Sequence, residues 1–153
     1  GILQTALGLD DTSPLPTPPT LKSTFRFEIS NPHDSTPFRF DGQIEVDQLI
    51  FGEVNGEATL FVIEGKLNSV PDSIAKTKLA YASMAIIQSG KVPANVKVVP
   101  VYVKTEYRAE DNSFHYQLAQ FEISEASRKG LLDLSEFRLI PEKSSHYFMK
   151  DLY

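Results

Sequence analysis

Two acids and a lysine, Asp47, Glu64 and Lys66, lie on two apolar segments that are joined by an Asn55-Gly56 dipeptide. Asn-Gly between strand-like runs is a strong signal for a type I′ hairpin turn, because both residues tolerate a positive φ. Folding this hairpin brings the two acids face to face. Opposed carboxylates are destabilising unless a partner neutralises them, and a bound cation is the natural candidate.

The register of the hairpin follows from the turn, since the residue numbers of opposed positions in an antiparallel pair add up to the same value throughout. It places Asp47 opposite Glu64. Two residues further out, Glu45 faces Lys66, and all four side chains share one face of the sheet. The neighbouring residues are strongly apolar and predict strands that are buried on both faces: Leu49, Ile50 and Phe51 on one strand, and Leu60, Phe61, Val62 and Ile63 on the other. At the end of a buried strand, each charge needs a partner.

Oxygen ligands without cysteine suit a hard cation, and Mg²⁺ is typically held by one or two carboxylates, with water and substrate phosphates as its other ligands. This combination indicates phosphoryl chemistry, in which Lys66 positions the attacking water or stabilises the charge of the transition state. Glu45 is a secondary candidate that holds a second ion or orients Lys66. The structural alternative is a surface ion pair between Glu45 and Lys66, worth about 0.2–1 kcal/mol, beside two incidental acids.

The residues from Gln43 to Phe51 and from Phe61 to Leu67 resemble two strands of the PD-(D/E)XK nuclease superfamily, which includes many type II restriction endonucleases. The first resembles the strand with the metal-binding aspartate, and the second resembles the strand with Glu-x-Lys. The resemblance implies that Asp47, Glu64 and Lys66 are catalytic and that the two acids bind Mg²⁺ or Mn²⁺. It also implies DNA as the substrate and, by analogy, a homodimer.

A helix of about twenty residues is predicted after the second strand. Ser69-Val-Pro-Asp72 is typical of a capping box with proline in the first turn, and Gly90 ends the helix. Small and apolar residues recur at helical spacing and form a stripe that packs on a sheet: Ala75, Leu79, Ala82 and Ile86. Lys78 flanks the stripe as a second candidate for a phosphate contact, and a solvated surface position is its alternative. Several branches of the superfamily have glutamine where Thr77 or Lys78 stands.

Further strands are predicted on both sides of this unit. Alternation and β-branched residues indicate strands at four places: Ser23 to Ile29, Phe38 to Phe40, Val96 to Val103, and Phe114 to Ile123. Pro100 cannot donate to a ladder, so its strand is expected to kink or to lie near a sheet edge there. The order hairpin, helix, strand, strand predicts an α/β fold, and the candidate strands predict a sheet of five or six strands. By the resemblance, this order matches a mixed central sheet flanked by helices. The resemblance implies a restriction-endonuclease-like core.

Residues 1–22 are interpreted as an N-terminal segment, and residues 23–153 as a nuclease-like domain. Four of the ten prolines lie between Pro14 and Pro19, which favours a semi-rigid linker or strap. The chain begins with Gly1, which is typical of a tag remnant or of a domain taken from a larger protein. In the second case we expect additional domains outside this chain, with substrate recognition in one of them.

Composition bounds the remaining possibilities. The 153 residues, 41% of them hydrophobic, suit one domain with a sizeable core. A net charge of −5 argues against a protein that coats DNA, although a shared face of basic residues can still form a phosphate track. The candidates are Lys66, Lys76, Lys78, Lys91, Lys97 and Lys104, with Arg128 and Lys129 further along. No apolar run has the length of a membrane helix, so we expect a soluble, cytoplasmic protein without a membrane partner.

Other chemistries find little support in the sequence. The absence of cysteine excludes disulfides and thiolate metal sites, and the three histidines are too dispersed in sequence to suggest a metal triad. The sequence therefore favours a metal-dependent endonuclease domain that hydrolyses DNA phosphodiester bonds. A noncatalytic nuclease-like module for binding or assembly is the alternative. A third hypothesis is a structural domain with solvent-exposed acids of ordinary pKa.

Overall fold

The computed structural model describes residues 2–10, 23–31, 34–67, 71–123, 138–139 and 144–150. These residues contain two helices, α1 (Ile2–Leu7) and α2 (Asp72–Gln88). They also contain eight strands: β1 (Ser23–Asn31), β2 (Asp34–Ile44), β3 (Gln48–Val54), β4 (Glu57–Leu67), β5 (Lys97–Arg108), β6 (Ser113–Glu122), β7 (Arg138–Leu139) and β8 (Ser145–Lys150). The predicted strands and the helix predicted after the hairpin are therefore present, and the α/β class is confirmed.

The main sheet has six strands and is mixed. Its order is β3-β4-β5-β6, with β7 and β8 both paired to the outer side of β6. Among the strands in the described part of the chain, only β4 and β5 pair in parallel, and α2 connects them, as a crossover between parallel strands requires. The upstream strands β1 and β2 pair with each other in a separate two-stranded sheet. The sixth strand of the main sheet instead comes from the C-terminal β8.

Both faces of the main sheet are covered. On one face, α2 packs its predicted stripe, including Ala75 and Leu79, against Val62 of β4 and Val98 of β5. On the other face, Leu7 of α1 packs in a second cluster that contains the following sheet residues: Ile50, Phe61, Ile63, Val99 and Val101. The apolar runs of β4 and β5 thus correspond to burial on both sides, as predicted. The prediction is wrong for β3, where Ile50 is buried but Phe51 is 39% exposed, because β3 lies at the edge of the sheet.

The N-terminal helix is tied to the main sheet by hydrogen bonds as well as by Leu7. Gln120 Nε2 donates to the Ala6 carbonyl at 3.3 Å, and the Asp10 amide donates to the Glu53 carbonyl at 3.0 Å. Residues 2–10 therefore pack with the second of the two predicted segments. The proline-rich stretch lies outside the described residues, and the division of the chain at residue 22 stays a prediction.

The hairpin register is confirmed where β3 and β4 pair, from Val54 opposite Glu57 to Gln48 opposite Ile63. Asn55 and Gly56 have φ values of 53° and 76°, as a type I′ turn requires. The two outermost predicted pairs, Asp47 with Glu64 and Glu45 with Lys66, do not form, because the ladder stops at Gln48. Residues 45–47 connect β2 to β3 instead of extending one long strand.

We expect the substitution Gly56→Ala to lower the free energy of unfolding by about 1–2 kcal/mol, because a Cβ is disfavoured at this positive φ. The environment adds no clash, since no atom beyond the adjoining residues lies within 4 Å of the position that the new Cβ would occupy. Urea denaturation measures the effect. Asn55→Gly is the matched control and should cost much less, since glycine accepts a positive φ. Equal losses in the two variants would contradict this account of the turn.

Two further details of the fold differ from a regular pattern. Pro100 lies inside β5 at a point where β4 is paired but β6 is not, because the pairing with β6 begins at Val101. This agrees with the expected position near a local sheet edge. Helix α2 begins at Asp72, with Pro71 at its N-cap position and no side-chain cap hydrogen bond there, whereas Ser69 of the predicted capping box lies outside the described residues. Neither α1 nor α2 is long and apolar enough to cross a lipid bilayer.

Candidate active site

The connection between β2 and β3 aims Asp47 toward the next strand. Ile44 and Val46 are buried in the cluster around α2, whereas Glu45 and Asp47 between and after them are exposed. The buried valine anchors the connection to the core. Asp47 Oδ2 then accepts a hydrogen bond from the Gly65 backbone N–H at 2.9 Å. The carboxylate thus bonds to β4 just beyond the last strand pair, in place of a backbone carbonyl.

Glu64 and Lys66 leave β4 on the same face, since side chains two residues apart alternate back to that face. This is the face on which Val62 packs against α2. The Lys66 ammonium contacts three acceptors: Glu64 Oε1 at 2.5 Å, the Gly65 carbonyl at 2.9 Å and Asp47 Oδ2 at 3.4 Å. The structure therefore brings Asp47, Glu64 and Lys66 together, although the predicted strand pair between the acids is missing.

Burial distinguishes the two carboxylates. The side chain of Glu64 is 4% exposed, whereas that of Asp47 is 43% exposed. Burial raises the pKa of Glu64 above its ordinary value, and the nearby charge of Asp47 raises it further, while the hydrogen bond and charge of Lys66 oppose the shift. The hypothesis of solvent-exposed acids with ordinary pKa values is therefore wrong for Glu64.

Lys66 is held as an ammonium. Burial lowers its pKa, but the hydrogen bond to Glu64 and the charges of Glu64 and Asp47 outweigh burial, so that the pKa of Lys66 is raised. An elevated lysine pKa stabilises the fold at all pH values below the ordinary value, and this contribution is lost only as the pH rises through the folded-state pKa, above 10.5. At neutral pH the lysine is a hydrogen-bond donor.

The raised pKa of Glu64 predicts a pH-dependent stability. The folded protein binds this proton more tightly than the unfolded chain, so the contribution of Glu64 to the free energy of unfolding falls as the pH rises from 4.5 through the folded-state pKa. We therefore expect the free energy of unfolding of the wild type, relative to that of Glu64→Gln, to fall as the pH rises through this window. Urea denaturation in the presence of a chelator measures it.

The control for this measurement is Glu57→Gln, which removes an exposed carboxylate from the same strand and corrects for the change in net charge. A wild-type advantage over Glu64→Gln that grows with pH across the same window would contradict the assigned direction of the shift.

The two secondary candidates lie at different places. Lys78 is exposed on α2, and its positive charge lowers the pKa of Glu64 against the larger effect of burial, so it lies within electrostatic reach of the site. Glu45 is exposed beside the site, but the strand pair that would set it opposite Lys66 does not form. The structure thus associates Lys78 with Glu64, and it does not place Glu45 opposite Lys66 in the β3–β4 ladder.

A cavity of about 540 Å³ lies one strand away from Glu64 and Lys66, on the same face of the sheet. Its lining includes Lys76 of α2, Lys104 of β5 and His146 of β8. The link between the site and the cavity is the parallel register of β4 and β5, which pairs Lys66 with Lys104. That register depends on where β5 meets β4, and a crossover of this length leaves it unspecified.

Two of the dispersed histidines also meet in the fold. Pairing of β6 with β8 brings His115 Nδ1 to 3.4 Å from His146 Nε2. His115 Nε2 lies 2.9 Å from Ser113 Oγ on its other side. Within the described part of the chain, however, no group of three or more acid, histidine or cysteine side chains is placed to hold a metal ion.

The residues at the site fit a magnesium-like cation that takes part of its coordination from water and substrate. Lys66 contacts one oxygen of each carboxylate, which leaves Oδ1 of Asp47 and Oε2 of Glu64 as hard oxygen donors. Because Oδ2 and Oε1 lie within 3.4 Å of the same nitrogen, the two carboxyl groups converge on one small region. Two carboxylates are the usual protein contribution to a Mg²⁺ site.

The fold and the site define an α/β protein with a mixed sheet and a cluster of two acids and a lysine at one end of its hairpin. No protein-family model, curated protein or solved structure matches the chain.

Proposed function

We propose that this chain is a metal-dependent endonuclease domain that hydrolyses DNA phosphodiester bonds, with a restriction-endonuclease-like core. The observation that carries the proposal is the convergence of Asp47 and Glu64 on the Lys66 ammonium, at 3.4 and 2.5 Å. The order hairpin, crossover helix, parallel strand around these residues supports it, since it resembles the core of the PD-(D/E)XK superfamily. In that superfamily an aspartate and a Glu-x-Lys on adjacent strands form the catalytic site.

In this proposal Asp47 and Glu64 hold Mg²⁺ or Mn²⁺. When bound, the cation supplies Lewis-acid stabilisation of the charge that develops on the phosphate and lowers the pKa of the attacking water. Asp47 keeps its position through the Gly65 N–H, and Glu64 is fixed by burial. Both ligands are therefore arranged before substrate arrives, which reduces the reorganisation that the reaction requires.

Lys66 acts as a positioning and charge-stabilising donor. Its ammonium already donates to three oxygens that surround it, and two of these belong to the proposed metal ligands. A substrate phosphate next to the carboxylates would take over part of this donation. The lysine would then stabilise the negative charge of the transition state or orient the attacking water, as an ammonium and not as a base.

A noncatalytic nuclease-like module is the second candidate. One observation favours it: Asp47 and Lys66 contact each other and the Gly65 backbone, so the cluster is also a structural ion-pair network that holds together without a metal ion. The two candidates differ in metal affinity. The endonuclease requires Mg²⁺ or Mn²⁺ to bind at Asp47 and Glu64, whereas the module does not.

The proposal is tested by incubating the protein with a mixture of single-stranded, linear double-stranded and supercoiled DNA, with and without Mg²⁺. We expect cleavage that requires the metal and that is lost in Lys66→Ala. Calorimetric titration with Mn²⁺ provides an independent measurement, in which Asp47→Ala should weaken binding. If the intact protein binds neither metal and Asp47→Ala changes nothing, the endonuclease proposal fails. DNA partners and a homodimer that cuts both strands belong to the same proposal.

A further inference from the structure

The 540 Å³ cavity lies on the face of the sheet from which Glu64 and Lys66 project, and residues of the neighbouring strand β5 line it. Asp47 and Gly65 line a different cavity. In the parallel pairing of β4 and β5, Glu64 lies beside Tyr102 and Lys66 lies beside Lys104. Paired residues of neighbouring strands project from the same face. Tyr102 and Lys104 both line the cavity, so it begins one strand away from the proposed catalytic residues.

The chemistry of the lining is suited to an anion with an apolar part. No carboxylate is among the described residues that line the cavity, although the whole chain has a net charge of −5. Lys76, Lys104 and His146 supply cationic groups or hydrogen-bond donors at its rim. Tyr102 and Phe121, which also pack in the cluster around α2, supply an aromatic and apolar floor.

The distribution of lysines along β5 supports a local role. Lys104 of β5 pairs with Lys66 of β4, at the end of the sheet where the site lies. Lys97 of β5 instead pairs with Thr59 near the hairpin turn, at the opposite end. Lys97 lines a different cavity there, together with Glu57. Lys66, Lys76, Lys78 and Lys104 are thus associated with the end of the sheet that holds Asp47 and Glu64, and Lys97 with the opposite end.

We propose that this cavity binds one nucleotide of the DNA strand next to the bond that is cut, with its phosphate at Lys104 and Lys76 and its base on the floor formed by Tyr102 and Phe121. The volume lies within the usual range of about 300–1,000 Å³ for small-ligand pockets. Stacking on aromatic floors combined with backbone charge contacts is how proteins hold unpaired nucleotides. The placement of this nucleotide within the substrate rests on the proposed function, whereas the binding itself is independent of catalysis.

The test is titration of the intact protein with 2′-deoxynucleoside 5′-monophosphates, the matching nucleosides and inorganic phosphate, all in EDTA and followed by calorimetry. We expect the monophosphates to bind more tightly than either part alone. Lys104→Gln and Lys76→Gln should each weaken binding about tenfold, since each removes one charge-assisted contact. Lys97→Gln is the matched control because it removes the same charge from the same strand, and it should leave the affinity unchanged.

The inference is overturned if no monophosphate binds, if inorganic phosphate binds as tightly as the monophosphates, or if Lys97→Gln weakens binding as much as Lys104→Gln. Lys76 is exposed on α2, so Lys76→Gln tests the cavity without disturbing the sheet. Failure of the proposed function has a different signature. In that case nucleotides bind in EDTA with the expected lysine dependence, but DNA is not cleaved when Mg²⁺ is supplied. Metal-dependent cleavage without nucleotide binding would refute the cavity assignment alone.

Discussion

Asp47→Asn is expected to reduce metal-dependent DNA cleavage by a factor on the order of 10³ while the fold is preserved. Asparagine retains an oxygen that can accept the hydrogen bond from the Gly65 N–H, which Asp47 accepts at 2.9 Å. It lacks the negative charge that a divalent cation requires. The substitution therefore separates the structural role of Asp47 from its proposed role as a metal ligand. The initial rate of DNA cleavage at saturating Mg²⁺ measures the effect.

Glu57→Gln is the matched control, because Glu57 is an exposed acid on the same hairpin but at its opposite end. It should cleave DNA at close to the wild-type rate. Circular dichroism and urea denaturation establish that Asp47→Asn remains folded. Wild-type cleavage by a folded Asp47→Asn protein would remove this aspartate from the catalytic mechanism. If Glu57→Gln loses as much activity as Asp47→Asn, the effect reflects the change in net charge.

Lys66→Met is expected to lower the free energy of unfolding at neutral pH by about 3 kcal/mol, near the lower end of the range for breaking a buried ion pair. Methionine fills much of the lysine volume but leaves the Glu64 carboxylate, which is 4% exposed, without its cationic partner. The Lys66 side chain is 18% exposed, and for this reason the upper end of the range is not expected. Chemical denaturation at pH 7 in the presence of a chelator measures this change in the free energy of unfolding.

Two companion measurements identify the cause of this loss. The deficit of Lys66→Met should shrink as the pH falls, because Glu64 becomes neutral and no longer needs a cation. The double variant Lys66→Met/Glu64→Gln should be more stable than Lys66→Met alone, since it contains no unpaired buried carboxylate. A deficit that is constant with pH and additive in the double variant would mean that lysine packing, and not charge, is responsible.

Much of the fold is determined by local signals. The Asn55-Gly56 turn fixed the hairpin register because only a narrow set of residues accepts two positive φ values. The apolar periods of β4, β5 and α2 identified these elements because burial requires the same faces to be apolar along each element. The spacing of residues along this hairpin also predicted that Asp47, Glu64 and Lys66 lie together.

Pairing between distant segments was not encoded locally. The upstream strands were counted toward a central sheet of five or six strands, but β1 and β2 form their own sheet on α2, and β8 occupies the outer side of β6. Alternation identifies a strand and its faces but contains no information about its partner. The choice of partner depends on the summed burial of the whole assembly.

The sequence by itself determined the turn, the faces of the central strands and the three residues of the candidate site, since each follows from a short-range backbone or spacing constraint. Only the tertiary structure decided how Asp47 reaches β4, through its side chain after the strand pairs end at Gln48. It also decided that Lys104 and His146 lie beside the site. These positions depend on where a crossover and a C-terminal strand meet the sheet, which is set by long-range packing and not by neighbouring residues.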